Sequence, residues 1–213
     1  MKLERKKIYD PFLRFLHFGL AFLCIVLIIS AYVANFFYEN GLIRKSFWIV
    51  HIFSGFGLSL LLVLRIIWGM VGGKYARLKE MFRWHEWKKA IQTKSIKIEW
   101  DWGHHPLGGL AYLLFYFVIL GLSVTGLFLS AIEHDLGPLA TRLYDQLLYK
   151  KDLLEIHELL SYLVIFFIFI HIFSLIHHEV KDRIPVIQSM FSGFQYRKSK
   201  GTNNESNNEA KHD

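Results

Sequence analysis

The sequence predicts an all-α fold, a four-helix bundle that crosses a membrane. Hydrophobic residues make up 53% of the 213 residues and aromatic residues 16%, and the mean hydropathy of +0.29 is high for a soluble domain. Four apolar runs are each long enough for a helix across a hydrocarbon core about 30 Å thick. The runs are apolar on all sides, whereas strands of a membrane barrel would alternate apolar and polar residues over about ten positions. The pattern therefore favours helices.

The four apolar runs give predicted spans, in chain order, at about 12–37, 47–71, 107–132 and 159–176. The first run follows a basic start, but it is too long for the core of a signal peptide and lacks a clear A-x-A site, so an uncleaved span is predicted. The third opens at Pro106, and proline suits a first helical turn. Residues 1–198 are predicted to form one membrane domain, and 199–213 a disordered polar tail.

Lysine and arginine residues concentrate on one side of these spans. The first 14 residues hold five, residues 72–106 hold eight and the segment after Ile176 holds six, whereas the two remaining loops hold two and three. The positive-inside rule then predicts that both termini are cytoplasmic. The net charge of +7 is mostly this bias, so it gives no reason to expect binding to nucleic acid.

Four histidines lie inside the predicted spans at two depths. His157 and His171 are 14 residues apart, which turns an ideal helix through about 1400°, about 40° short of four turns, and rises about 21 Å. They therefore share a face and lie near opposite membrane surfaces. The second span starts at the periplasmic side, so His51 lies level with His157. The first span starts at the cytoplasmic side, so His17 lies about as deep as His171. The depths pair His51 with His157 and His17 with His171.

Paired imidazoles at two depths point to a particular chemistry. Ionisable side chains are costly inside a membrane, and two bis-histidine sites about 20 Å apart suit two low-spin b-type haems, which pass electrons and leave iron no free position for a substrate. The single cysteine, Cys24, allows no C-x-x-C-H attachment, so the haems would be non-covalent. Zinc would need a tetrahedral cluster at one level. A proton relay and a simple packing role remain alternatives.

Several cations are predicted partners of the haem propionates. Arg14, three residues before His17, and Arg65, at the cytoplasmic end of the second span, are the candidates for the cytoplasmic haem. Snorkelling to the interface is the alternative for both. Arg44 and Lys45 are weaker candidates for the periplasmic haem.

Three further histidines compete for roles on the cytoplasmic side. His178 lies on nearly the same face as His171 but roughly 10 Å further along the axis, so His171 is preferred. His104 and His105 either cap the third helix or line a pocket for a quinone or a propionate.

Small residues near the histidines would leave room for a flat macrocycle, although they also let membrane helices approach closely without a cofactor. These residues are Gly19, Gly55, Gly108, Gly109, Thr125 and Gly126.

Several longer motifs carry a family resemblance across roughly residues 8 to 198. They are YDPFLRFLHF in the first span, HIFSGFG and LRIIWGMVGGKYARL in the second, WGHHPLGGLAY and SVTGLF in the third, HELLSY in the fourth, and MFSGF before the tail. With these motifs the chain resembles the prokaryotic cytochrome b561 family, which includes cytochrome b subunits of nickel-iron hydrogenases. It departs from the usual pattern at His105, where relatives commonly have asparagine.

The resemblance implies two haems b, ligated by single histidines of the first and second helices and by two of the fourth, which fall on His17, His51, His157 and His171. It also implies an electron-transfer subunit of the bacterial inner membrane, rather than a stand-alone enzyme, that connects the quinone pool with a periplasmic or membrane redox partner of the hydrogenase or c-type cytochrome class. It could thus be one component of a quinone-linked oxidoreductase. A histidine-lined proton or metal-ion transporter and a structural anchor for a periplasmic enzyme remain the alternatives.

Overall fold

The computed structural model describes residues 3–82, 88, 92, 102–103, 106–140 and 150–198. The predicted tail, His104 and His105 lie outside these residues. In chain order the described elements are β1 (Leu3–Lys7), α1 (Pro11–Phe36), α2 (Gly41–Val71), a 3-10 turn (Lys74–Ala76), α3 (Leu78–Phe82), α4 (Pro106–His134), α5 (Lys150–Asp182), α6 (Ile187–Ser192) and β2 (Phe194–Lys198).

Four of these helices, α1, α2, α4 and α5, are long and apolar enough to cross a membrane. They confirm the prediction of four apolar helices in a multi-pass membrane protein. The helix α5 has 33 residues, many more than the apolar run inside it, because polar residues continue the helix at both ends. A helix of that length measures about 50 Å, so it extends beyond a hydrocarbon core of about 30 Å.

Side-chain caps define the first helical hairpin. The carboxylate of Asp10 accepts a hydrogen bond from the backbone N–H of Leu13 at 2.8 Å, and Pro11 occupies the first turn of α1. Asn40 accepts in the same way from the N–H of Ile43 at 3.1 Å at the start of α2. Both caps satisfy donors that a helix start leaves free. We call the end of the bundle with this connection the hairpin end, and the end with β1 and β2 the terminus end.

The centre of the bundle is an apolar layer to which all four long helices contribute. It contains Cys24, Leu58, Leu62, Ile119 and Val164. Val164 lies seven residues from His157 and seven from His171, so this layer separates the two histidine levels. The helix α5 packs along α4, and no comparable backbone packing joins α5 to α1 or α2 within the described residues.

The strands β1 and β2 form a two-stranded antiparallel sheet, which was not predicted from the sequence. Leu3 pairs with Lys198 and Lys7 with Phe194. The short helix α6 ends at Gly193, whose φ of 82° is readily adopted by glycine. The side chain of Gln195 accepts from the N–H of Gly103 at 2.8 Å and donates to its carbonyl at 3.1 Å. The sheet is thereby joined to the segment that precedes α4.

The segment ARLKEMFRWHEWKK follows α2 in the connection to α4. The described part is α3, and its Met81 is 2% exposed, so this residue packs into the bundle and not into lipid. A side chain at Gly109 would collide with the Met81 carbonyl. Glycine at that position allows α3 to lie directly against α4.

Candidate functional site

The structure brings the four histidines together as two pairs, one near each end of the bundle. The ring centroids of His17 and His171 are 6.4 Å apart, and those of His51 and His157 are also 6.4 Å apart. His157 and His171, both on α5, meet histidines of two different helices, α2 and α1. The pairs are the same as those expected from depth along the spans.

The spacing in each pair fits two axial ligands of one metal ion. A metal–imidazole bond is about 2.0–2.1 Å long, and each ring centroid lies about 1.1 Å behind its nitrogen, so two imidazoles on opposite sides of one ion have centroids about 6.3 Å apart. The observed 6.4 Å matches this value at both ends. A direct hydrogen bond between the rings would bring them closer. The residues therefore fit a bis-histidine haem at each level.

Hydrogen bonds fix the orientation of the His51 ring. Its Nδ1 lies 3.1 Å from the carbonyl oxygen of Leu27 and 3.3 Å from Oγ of Ser30. The Ser30 hydroxyl already donates to the Leu27 carbonyl at 3.1 Å, and a carbonyl can only accept. His51 Nδ1 therefore carries the proton and donates. This tautomer leaves Nε2 without a proton and able to bind a metal.

The same logic holds for His157. Its Nδ1 lies 2.7 Å from Oγ1 of Thr125 on α4. The carbonyl of Gly121 lies 2.8 Å from the Thr125 hydroxyl and can take its proton, which leaves the hydroxyl oxygen to accept from His157 when Nδ1 carries the proton. Gly126 is next to this contact, where an added Cβ would lie 3.3 Å from Cε1 of His157. A Cβ at Gly126 would therefore be tight against this ring, whereas the sequence predicted this glycine as room for a macrocycle.

The pair at the terminus end is oriented differently. Nδ1 of His171 lies 3.5 Å from the hydroxyl of Tyr112, at the outer limit of a hydrogen bond. The ring of Phe167 stacks on that of His171 with a centroid distance of 6.0 Å and an angle of 8°, and Phe115 stacks on Phe167 at 4.1 Å. Nδ1 of His17 is buried and has no partner among the described residues. Packing of aromatic rings, more than hydrogen bonding, orients this pair.

Arg65 is a buried cation at the terminus end. Arg65 is only 3% exposed. Nε donates to the hydroxyl of Tyr116 at 3.1 Å, and one terminal nitrogen contacts the sulfur of Met81 at 3.4 Å. The other terminal nitrogen is buried without a partner within the described part of the chain. Neutral partners do not balance a guanidinium in a low dielectric, so this group suits an anion such as a carboxylate.

The other predicted cations have less specific surroundings. Arg14 donates to the carbonyl of Phe191 in α6, which joins the end of α6 to α1, while its Nε is buried with no partner among the residues described. Arg44 lies over the ring of Tyr38 at 4.4 Å, and Lys45 is exposed.

The remaining predicted residues lie away from the pairs or contribute to helix packing. His178 is exposed on α5 and lies 3.3 Å from Asp182. A Cβ on Gly19 would meet Leu61 at 2.7 Å, and one on Gly55 would meet only Leu27 at 3.9 Å. Gly19 is therefore explained by close packing of α1 on α2, while Gly55 has space beside it.

The roles of Ser30 and Tyr112 were not predicted from the sequence, and Thr125 was predicted only as a small residue. One signal was present in the sequence. Tyr112 and Thr125 are 13 residues apart on α4, close to the 14 that separate His157 from His171. Because α4 and α5 are antiparallel neighbours, similar spacings allow a hydroxyl to meet an imidazole at each level.

Comparison with known proteins yields relatives of one kind. A probable Ni/Fe-hydrogenase B-type cytochrome subunit of Azotobacter chroococcum mcd 1 is 27% identical over 177 residues, which cover 74% of this chain and 70% of the relative. A probable Ni/Fe-hydrogenase 1 B-type cytochrome subunit of Escherichia coli (strain K12) is 24% identical over 182 residues, which cover 78% and 75%. No solved structure gives a significant match. The family model for prokaryotic cytochrome b561 matches residues 8–193, and the chain therefore belongs to the prokaryotic cytochrome b561 family, whose members hold haem b and transfer electrons in membranes.

Proposed function

We propose that this protein is a di-haem b-type cytochrome subunit that carries electrons across the bacterial inner membrane, between the quinone pool and a periplasmic or membrane redox partner. The observation that supports it most is the pair of histidines at each of two levels, with ring centroids 6.4 Å apart in both pairs. Proton relays and packing histidines do not require this spacing twice. Haem b, when bound, supplies one-electron chemistry that the side chains lack.

The chain's own residues would hold the haems in defined positions. His17 with His171, and His51 with His157, would each hold one haem, which would supply electron transfer rather than chemistry on a bound substrate. The central apolar layer would exclude water between the two levels and keep the dielectric constant low.

Cations would balance the propionates at the cytoplasmic level. Arg65 has a buried nitrogen without a partner among the described residues, and a carboxylate would supply one. Arg14 is a second candidate, since its Nε is also buried without a hydrogen-bond partner among the described residues. Arg44 is the corresponding candidate at the other level.

The orientation and the partners are part of the proposal. The excess of lysine and arginine beside the terminus end supports cytoplasmic termini, which would place the His51/His157 pair on the periplasmic side. The relatives are named as subunits of Ni/Fe-hydrogenases, which supports a hydrogenase as the redox partner, with a c-type cytochrome as the alternative. The quinone is inferred from the family alone, with His104 and His105 as candidates near the cytoplasmic mouth.

A haem count tests the proposal most directly. The protein is purified in detergent from haem-replete cells, and a pyridine haemochrome assay is combined with a dithionite-reduced minus oxidised spectrum. We expect a haem-to-protein ratio near two. A ratio near one would break the pairing scheme, and a colourless preparation would favour the transporter. Unchanged partner activity after His51→Ala or His157→Ala would favour a structural anchor.

A further inference from the structure

The two histidine pairs differ in the hydrogen bonds made by Nδ1. At the hairpin end each Nδ1 has an oxygen within hydrogen-bond distance: the Leu27 carbonyl at 3.1 Å for His51, and Oγ1 of Thr125 at 2.7 Å for His157. At the terminus end one contact is 3.5 Å long, and His17 has no Nδ1 partner among the described residues.

This difference changes how strongly each pair donates electrons to a metal. When Nδ1–H donates to an oxygen, electron density moves towards Nε2 and the imidazole becomes a stronger ligand base. A stronger base favours the oxidised metal, because that state has the higher positive charge, and it therefore lowers the reduction potential. Two well-formed bonds lower it more than one long contact does. Arg65, a buried cation at the terminus end, widens the difference between the two levels. Positive charge favours the reduced state of a neighbouring site and so raises the reduction potential at that end.

We propose that Thr125, supported by Ser30 and the Leu27 carbonyl, makes the His51/His157 haem the more reducing of the two. Thr125 acts through His157 and is a positioning residue. The inference rests on the proposed function, and it adds a direction: an electron that enters at the hairpin end moves downhill to the terminus end. With cytoplasmic termini, that direction is from the periplasmic side to the cytoplasmic side.

A redox titration of the haem absorbance tests this inference in the full-length protein. Thr125→Val removes the acceptor of His157 Nδ1 and keeps the side-chain shape. We expect the lower of the two reduction potentials to rise by about 59 mV, which corresponds to a tenfold change in the equilibrium constant for one-electron reduction. The higher potential should not change. Thr125→Ser keeps the hydroxyl and should keep both potentials.

Tyr112→Phe is the matched variant at the other end, where the contact is long, and we expect it to move the higher potential by less. Ser30→Ala removes a hydroxyl near Nδ1 of His51, the other histidine of the same pair. We expect a smaller rise of the lower potential, because the Leu27 carbonyl remains as a partner of His51. This variant decides the matter if Thr125→Val fails to fold. Haem content is measured in every sample.

The outcomes separate the inference from the proposed function. Two haems with potentials unmoved in both Thr125→Val and Ser30→Ala would overturn the inference and leave the proposed function standing. A larger shift in Tyr112→Phe than in Thr125→Val would overturn it as well. A wild-type preparation without two haems would overturn both.

Discussion

The helices α4 and α5 are antiparallel neighbours with opposite contributions to the candidate sites. The helix α5 supplies one histidine to each pair, whereas α4 supplies none. Instead α4 supplies hydroxyl groups to side chains from other helices: Thr125 contacts His157, Tyr112 approaches His171, and Tyr116 accepts from Arg65. One helix thus presents the groups that could bind a cofactor, and the other orients them.

This division teaches that a span without ligands is still part of the site. An imidazole can bind a metal only when the proton is on the other nitrogen, and the partner of Nδ1 decides which nitrogen that is. Variants of α4 should therefore change the properties of the sites, while variants of α5 should remove them.

The largest effect is expected from the histidines of α5. His157→Ala and His171→Ala should each lower the haem-to-protein ratio from about two to about one, because each removes one axial ligand from a different level. A pyridine haemochrome assay measures this ratio. His178→Ala, exposed on the same helix, is the control and should keep both haems. Loss of both haems in each single variant would show that the levels do not bind haem independently.

Arg65 should behave in opposite ways with and without haem. Arg65→Met leaves a propionate without its cation in the loaded protein, and removal of one partner of a buried pair typically lowers stability by about 3–5 kcal/mol. In haem-depleted protein the stability should be unchanged or higher, since an unpaired buried charge is removed. Thermal unfolding of both forms in detergent measures this.

Lys79→Met, in the exposed part of α3, is the control for Arg65→Met. An equal loss of stability in both forms of the Arg65 variant would contradict a role towards an anion.

Gly126 tests the close contact between α4 and the His157 ring. Gly126→Val places a branched side chain where even a Cβ lies 3.3 Å from Cε1, and such overpacking typically lowers stability by about 1–3 kcal/mol. We also expect a changed spectrum for the haem at the hairpin end only. Gly108→Val, on the same helix and with nothing described within 4 Å of an added Cβ, should have little effect. Similar spectra for both variants would contradict the prediction.

The smallest effect is expected from Tyr116→Phe, which removes the acceptor of Arg65 Nε. A typical hydrogen bond contributes about 0.5–1.5 kcal/mol, so we expect a loss of about 1 kcal/mol in thermal or denaturant unfolding. Unlike Arg65→Met, the loss should be present with or without haem. Tyr162→Phe, 61% exposed on α5, is the control. A loss confined to the haem-loaded protein would instead connect Tyr116 to the propionate.

The sequence predicts most of the bundle because the signals are local. Apolarity alone marks the four spans, and helical rise sets the depth of each histidine, so His17 was expected beside His171 before any contact was known. The hydroxyl partners could not be predicted in this way. Whether Thr125 meets His157 depends on the rotation of α4 about its axis, and packing against all neighbours sets that rotation. Haem ligation by the four histidines stays a prediction.

The sheet of β1 and β2 was missed for a different reason. Its strands lie at opposite ends of the chain, and their basic residues show no alternation of apolar and polar positions. Such a pairing has no local signal.

The meeting of the first and last strands also ties the order of synthesis to the finished molecule. Protein chains are made from the amino end, so Leu3–Lys7 exists long before its partner Phe194–Lys198 and must wait until every span between them has been made. The sheet can close only after β2 has been made. A ribosome that stops before Phe194 leaves β1 unpaired, and the closed sheet therefore distinguishes a chain that includes β2 from one that ends before it.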